Sequence, residues 1–356
     1  MGIHPVSLDL FDELEITEPF LEKGLKIKKG QAYFGEEHTG SIDFETHCPM
    51  PHNYILTLPQ YQTEQILESE LQRLEPECLV RGWKVSGIQQ FSDSVQITAR
   101  QGNNSTVFTA NWLVGCDGKD SMVRRNAGIG FPGKSYPDTY VMGDFSDQTS
   151  FGSDAIVYIH PEGLIESFPL PDGQRRWVVK TDSYIDLPKR KQLQQLIWNR
   201  TQFELDGSDM NMISSFGVQH YLCDQFYNGR ILLAGDSAHI VSPIGGQGMN
   251  LGWITASRLS EALSDLISNP RDPENILKPF SQESRKTAKK VSRRAALNML
   301  LGRRQRLPQV RKWMVQVIVS PPLDQLMAQI FTMRGLGGIV GFIKDNMDEI
   351  RSSLRK

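Results

Sequence analysis

The sequence predicts an α/β protein: a domain of buried parallel strands and helices, interrupted by an inserted antiparallel sheet and followed by a helical tail. Two short apolar runs, WLVGC at 112–116 and RILLAG at 230–235, each end at an Asp that opens a loop. Continuous apolar runs of that length read as strands covered on both faces. Between them, residues 133–229 hold AIVYIH, GLIESFPL and RRWVVK, short stretches separated by Pro and Gly, as antiparallel strands are. From 275 onward the chain is helical and in places basic, at Arg293, Arg294, Arg303, Arg304 and Arg306.

The elements follow in order. Leu8, Phe11 and Leu14 stand at helical spacing within 5–14, and Leu67, Leu71 and Leu74 repeat the pattern within 60–74. The period then falls to two: Val95, Ile97 and Ala99 alternate with polar residues, QGNNS at 101–105 makes a turn, and 106–110 returns beside them. Inside the inserted sheet a helix is predicted over 187–204 and a strand over 213–220. After RILLAG a long helix is predicted from about 249 to 267. No internal repeat or low-complexity linker breaks the chain.

Length and composition set the outer limits. A chain of 356 residues has room for two domains, and 39% hydrophobic residues suffice for a buried core. A net charge of −2 gives no electrostatic reason for a nucleic-acid partner. Cys48, Cys78, Cys116 and Cys223 form no CxxC pair, which argues against a metal site or a disulfide framework and fits a reducing compartment. The opening MGIHPVSLDLFDEL lacks the basic start and apolar run of a signal peptide. Val6 stands where a myristoylation signal has Ser or Thr. No stretch approaches the roughly 18 apolar residues of a membrane span. The cytoplasm is the expected location.

The most informative segment is GRILLAGDSAHIVSPIGGQGMNLGWITASRL, residues 229–259. A buried strand ends at Gly235-Asp236, a Pro- and Gly-rich loop follows, and a helix opens near Met249. Gly245, Gly246 and Gly248 let the backbone approach a flat ligand with no Cβ in the way. The helix N-terminus offers free N–H groups and a partial positive charge. Asp236 sits at the carboxyl end of a strand, where open α/β sheets bind ligands, and its carboxylate can accept hydrogen bonds from a polyol. A turn that merely links strand to helix is the simpler reading, but the segment is longer and more particular than such a turn requires.

This segment resembles the second fingerprint of the single-component flavin monooxygenases related to para-hydroxybenzoate hydroxylase and to the polyketide and phenol hydroxylases. The resemblance implies that Asp236 binds the ribityl chain of FAD and that Pro243 lies near the reactive edge of the flavin. It also implies that Gly245, Gly246, Gly248, Met249 and Asn250 lie against the isoalloxazine. Two positions depart from the pattern: Ser237 replaces Ala, and Thr255 stands where the family has Asp, which puts local helix contacts in doubt. His239 lies in the fingerprint, but a lone loop histidine reads as structural.

GCDGKDSMVRRNAGI at 115–129 is physically a strand end, an Asp-Gly turn and a capped short helix with Arg124 and Arg125. It resembles the family's D-G-x-x-S-x-V-R fingerprint, which implies that Asp117 and Gly118 serve the nucleotide part of FAD, with Ser121 and Arg124 also matching. LPQYQTEQIL at 58–67 resembles a helix-opening segment of the family, in which Gln60 would reach toward the ribityl side; a plain helix start after Pro59 is the alternative.

The family resemblance implies an incomplete Rossmann-like FAD-binding domain over 1–20, 59–132 and 230–285. It implies a substrate-binding sheet domain over 21–58 and 133–229, and a helical region over 286–356. The expected activity is hydroxylation of an aromatic, polyketide or quinone-like small molecule, with FAD reduced by NAD(P)H and dioxygen trapped as a flavin C4a-hydroperoxide. Catalytic side chains are not shared across the family, so none is named. His47, His52, Tyr54, Arg176 and Trp177 are candidates for lining the pocket. A halogenase or prenyl reductase on the same scaffold is the alternative enzyme, although no W-x-W-x-I-P-like segment occurs. The family's opening G-x-G-x-x-G, which cradles the FAD pyrophosphate, does not occur in this chain. Gly335, Gly337 and Gly338 have no preceding strand and do not replace it. About forty residues of the pattern, on the order of one βαβ unit, are therefore expected upstream of Met1. A misplaced start codon is favoured over a truncated, weakly binding remnant. The apolar tail segments WMVQVIV and LMAQIFTM could touch a membrane surface; packing onto the flavin domain is favoured.

Overall fold

The computed structural model describes residues 2–205, 210–303 and 308–334. Arg304, Arg306, the Gly335, Gly337 and Gly338 cluster, and the rest of the 286–356 region beyond 334 lie outside the described residues. The fold is mixed α/β, and the described residues form one large sheet and three small ones.

The large sheet has eight strands in the order His239–Ile240, Met210–Leu222, Gly133–Ser146, Gln174–Thr181, Ile165–Leu170, Ala155–Ile159, Lys29–Phe34 and Glu37–Asp43. All neighbours are antiparallel except Ala155–Ile159 against Lys29–Phe34. Side chains alternate across its pleat. Val141, Phe145, Ile156, Ile165, Trp177 and Val179 form one apolar face, covered by Leu193 and Ile197 of the helix Arg190–Thr201. Met142, Val157, Phe168, Arg176 and Val178 face the other way, into a cavity. Both faces are thus withdrawn from water, so the strands read as nearly unbroken apolar runs.

The parallel pair predicted from the two apolar runs is present. Leu113–Gly115 and Ile231–Leu233 run side by side with Gly115 opposite Leu233, and Tyr227–Asn228 completes that sheet. Leu113–Gly115 is its edge strand among the described residues. The helix Met122–Asn126 packs so closely that a Cβ on Gly115 would lie 2.7 Å from Val123 Cγ1, which makes glycine obligatory there. Lys84–Gln90, Val95–Gln101 and Asn104–Ala110 form an antiparallel meander, and Gly2–Ile3, Ile55–Thr57 and Leu25–Ile27 form the last sheet.

Three helices differ instructively from expectation. Pro5–Glu13 buries Leu8 and Phe11 but leaves Leu14 exposed, and Phe11 meets Trp253 of the long helix edge-on at 5.0 Å. Gln60–Leu74 buries Thr63 and Ile66 rather than the predicted stripe, and Leu71 and Leu74 face solvent. The long helix is Gln247–Ser268, starting two residues before the predicted Met249 because Gly246, at φ +67°, already turns the chain into it.

The tail packs on the large-sheet side and also meets the helices expected to bind the cofactor: Gln247 donates to the Ile330 carbonyl, Arg334 pairs with Asp9, and Met333 is buried in the core that holds Leu251 and Leu259. Val315, Ile318 and Val319, at the end of and just beyond the helix Pro308–Ile318, face the cavity, as do Met327 and Phe331 of Leu323–Phe331. Burying those side chains is what holds the tail there. No described helix is long and apolar enough to cross a membrane.

Candidate cofactor and substrate site

The site begins where the two parallel strands end. Asp236 follows Leu233 in a tight turn, with Gly235 at φ +63°. Its side chain is exposed, and its carboxylate has no hydrogen-bond or ion-pair partner among the described residues. Crowding by neighbouring atoms raises its pKa above the ordinary carboxylate value. The long helix packs against this turn, with Gly252 in position to bring any Cβ within 3.8 Å of Gly235 Cα.

Asp117 ends the neighbouring strand but is fully employed. It accepts hydrogen bonds from the Ser121 hydroxyl and from the amides of Met122 (2.7 Å) and Val123 (3.1 Å). Partial burial works against its ionised form, but these bonds together hold its pKa below the usual range. Gly118 turns the chain at φ +76°. Ser121 caps the short helix through the Arg124 amide (2.9 Å). Arg124 is buried rather than exposed: it donates to the carbonyls of Ser237 (2.9 Å) and Lys119 (2.8 Å) and lies over the Phe131 ring. Ser237 donates to the carbonyls of Gly115 and Ala234. The two fingerprint segments are therefore stitched to each other, and Ser237 does what an alanine could not.

The Gly-rich loop faces a cavity of about 490 Å³. Pro243, Gly245 and Gly246 line it, with φ +83° and +67° at the two glycines, together with Gly2 and His4 from the chain's opening. No side chain caps the helix that starts at Gln247, so its first-turn N–H groups have no side-chain acceptor at the cap position. Gly248, Met249 and Asn250 do not line the cavity. Met249 packs beside Trp253 under the loop. The Asn250 side chain is wholly buried: its Oδ1 accepts from the His4 amide (2.8 Å) and the Ser7 hydroxyl (2.8 Å), and its Nδ2 donates to the carbonyls of Gly2 (2.9 Å) and Gly246 (2.9 Å). Gln60 lies on the protein surface, bonded to Glu64 at 2.8 Å.

His239 is buried, and burial pushes its pKa down to about 4. Its Nε2 lies 3.1 Å from the Thr255 hydroxyl, so the departure at position 255 gives this histidine a neutral partner where an Asp would have favoured the imidazolium. His4 is likewise lowered to about 4 by burial, against the weaker pull of the Gly245 and Phe331 backbone. Neither carries charge at neutral pH.

Of the five pocket candidates only Arg176 lines the cavity, and it is held by Asp144 at 2.7 and 2.8 Å. Trp177 points to the opposite face of the sheet, His47 faces Asp324 at 3.3 Å, and His52 bonds Asp12 (2.6 Å) and the Tyr54 hydroxyl (3.1 Å). Glu166 was not foreseen. It sits between Ile165 and Ser167 on a strand otherwise buried and apolar, and its oddness in the run IESFPL was the available signal. The tail residues Val315 and Phe331 gave no sequence signal, because only the closed fold brings them here.

FAD, the group implied by the resemblance, fits what is present. An unpartnered carboxylate at a strand end suits ribityl hydroxyls, and two bare glycines with a side-chain-free helix start suit a flat polar ring edge.

Comparison with known proteins agrees. An uncharacterized aromatic compound monooxygenase of Bacillus subtilis (YhjG) is 29% identical over 335 residues, covering 92% of this chain and 66% of the relative. The 12-dehydrotetracycline 5-monooxygenase/anhydrotetracycline 6-monooxygenase of Streptomyces rimosus is 29% identical over 350 residues, covering 93% and 68%. The chain thus spans about two thirds of the length of these relatives. Among solved structures, p-nitrophenol 4-monooxygenase PnpA from Pseudomonas putida shares the fold, with a TM-score of 0.83, 21% identity, and coverage of 95% of this chain and 88% of that one. OxyS anhydrotetracycline hydroxylase from Streptomyces rimosus superposes with a TM-score of 0.74 at 27% identity, covering 94% and 67%. The model of the FAD binding domain family matches residues 1–295, and the chain belongs to that family, among homologues that are flavoprotein monooxygenases of aromatic compounds.

Proposed function

We propose that this chain binds FAD between the Asp236 turn and the Pro243–Gly246 loop and, with NAD(P)H and dioxygen, hydroxylates an aromatic small molecule held in the adjoining cavity. The observation that carries the reading is the continuity of the bare Gly245-Gly246 backbone with an apolar cavity of about 490 Å³, a volume in the range of small-molecule sites. In this reading residues 1–20, 59–132 and 230–285 hold the cofactor, 21–58 and 133–229 face the substrate, and the tail closes the cavity.

Bound FAD would supply the redox chemistry with dioxygen. The protein's own residues do the rest. Asp236 accepts hydrogen bonds from the ribityl chain. The first-turn N–H groups after Gly246 favour negative charge on the ring edge they meet. Met142, Phe168, Phe216, Ile318 and Phe331 exclude water and offer aromatic and aliphatic contact to the substrate. Asp117, Gly118 and Gln60 are assigned to the nucleotide and ribityl side, and Gly248, Met249 and Asn250 to supporting the loop.

The test is the purified protein itself. It should carry flavin absorbance, and Asp236→Ala should weaken FAD affinity by at least about tenfold, the effect of a lost charged hydrogen bond. Phenols and quinones should stimulate NAD(P)H oxidation in the flavin-loaded protein. A colourless protein that takes up no added FAD, or an Asp236→Ala variant that binds FAD as tightly as the parent, defeats the proposal.

A further inference from the structure

The cavity's polar groups can be accounted for one by one. Gln31, Thr57, Glu166, Arg176 and His4 are the polar side chains among its lining residues. Gln31 donates to Asp154 and accepts from the Tyr33 hydroxyl. Thr57 donates to the carbonyls of Pro169 (2.8 Å) and Leu25 (3.2 Å). Arg176 is neutralised by Asp144. His4 is neutral and packed against the Gly245 backbone. Glu166 forms no hydrogen bond or ion pair with any described residue, although it is only 9% exposed, and the neutral His4 leaves its buried Nδ1 without a partner as well.

Glu166 projects from the strand Ile165–Leu170 on the face that carries Leu164, Phe168 and Leu170 into the cavity. Its strand neighbours are Val157 and Val178, both apolar and both lining the same space. A carboxyl left without a partner in such a place is costly, and a protein keeps it there when something else completes it. Burial alone pushes its pKa up to about 7, and no nearby cation offsets the effect. Above that pH the group is ionised, an unpaired acceptor in a wall with little water.

We propose that Glu166 is the specificity-determining residue of the cavity: it accepts a hydrogen bond from a hydroxyl on an otherwise apolar, uncharged aromatic substrate and rejects aromatic carboxylates. The inference rests on the reading of the cavity as the substrate site. Its physics is asymmetric. A hydroxyl donor satisfies Glu166, an ether leaves it unpaired, and a carboxylate sets like charge against it in a medium with little screening. Arg176 spends its Nε and Nη2 donors and its charge on Asp144, which weakens its pull on an anion.

The experiment uses the full chain and three probes of similar shape: 2-naphthol, 2-methoxynaphthalene and 2-naphthoate, bound at about pH 8, where Glu166 is ionised and 2-naphthol is not, and measured by equilibrium dialysis. The parent should bind 2-naphthol about tenfold or more tightly than either of the others, the size expected for one satisfied buried partner. Glu166→Gln should admit 2-naphthoate and narrow the naphthol-to-naphthoate ratio by about tenfold; Glu166→Leu should bring the naphthol-to-methoxynaphthalene ratio close to one. Both substitutions remove an unpaired buried acid, so folding is not expected to suffer, and retained 2-methoxynaphthalene binding checks this. Failure of 2-naphthol to bind the parent, equal binding of the three probes, or a preference that survives both substitutions overturns the proposal. Flavin content of the same samples separates the two readings. Protein that takes up no flavin but keeps the naphthol preference sinks the flavin reading and leaves Glu166 standing; yellow protein without the preference does the reverse.

Discussion

Two walls of one cavity are built on opposite plans. Behind the Pro243–Gly246 loop, Asn250 makes four hydrogen bonds and exhausts the capacity of its amide. On the sheet opposite, Glu166 makes none. A fully bonded side chain under a loop means that the loop's shape is set before any ligand arrives. An unbonded acid in an apolar wall means that part of the wall is completed by the ligand. The first arrangement suits a cofactor that stays; the second suits a substrate that comes and goes.

The sharpest way to break this contrast is to remove the tie beneath the loop. Asn250→Leu would leave the His4 amide, the Ser7 hydroxyl and the carbonyls of Gly2 and Gly246 without that partner. At about 1–3 kcal/mol for each group left unsatisfied in the interior, a loss of about 4 kcal/mol or more is expected, read as a lowered denaturation midpoint. A variant as stable as the parent would mean that the loop is held by something else.

The opposite wall is probed through pH. Glu166 has a folded pKa of about 7 against a model value of 4.5. In that interval the folded state keeps a proton that the unfolded state has lost, so stability falls as pH rises from 4.5 toward 7 and is level above it. The loss amounts to about 3 kcal/mol, and it should be absent in Glu166→Gln. His4 and His239 act with the other sign: lowered from 6.5 to about 4, they cost stability as pH falls below 6.5. Denaturation of parent and Glu166→Gln at pH 5 and 7.5 isolates the acid, because the histidine contribution is common to both. Parallel curves would mean that Glu166 is solvated or paired.

The smallest effect is expected at Gly246. A Cβ there would meet His4 Nε2 at 3.5 Å, an ordinary contact, so Gly246→Ala should cost only the left-handed backbone penalty at φ +67°. That is about 1–2 kcal/mol, measurable as a lower midpoint with the fold intact. A much larger loss would show that the loop tolerates no side chain even without ligand.

The elements that carried the family resemblance were legible because local chemistry dictates them. Gly235, Gly245 and Gly246 adopt backbone angles other residues avoid, and the runs at 113–115 and 231–233 pair as buried parallel strands. Asp236 closes a strand end, and Gly245 and Gly246 line the cavity. Gly248, Met249 and Asn250, expected beside them, do not line the cavity: a helix start presents its side chains all round, and which side faces a cavity depends on what packs behind it. Trp177 and Arg176 illustrate the same limit on a strand. Adjacent residues point to opposite faces, and with both faces buried no alternation of polarity tells which is which.

By itself, then, the chain of amino acids determined the order of strands and helices, the two Gly-Asp turns and the resemblance to flavin-binding proteins, all through short-range constraints on φ, ψ and burial. The tertiary structure alone decided that the opening residues Gly2 and His4, the sheet residue Glu166 and the tail residues Val315 and Phe331 share one cavity. It also decided that the tail spans both parts, closing the sheet with Val315 and Phe331 and bonding the helices at Gln247 and Asp9. Those residues are up to hundreds of positions apart, and only long-range packing, driven by the joint burial of apolar surface, brings them face to face.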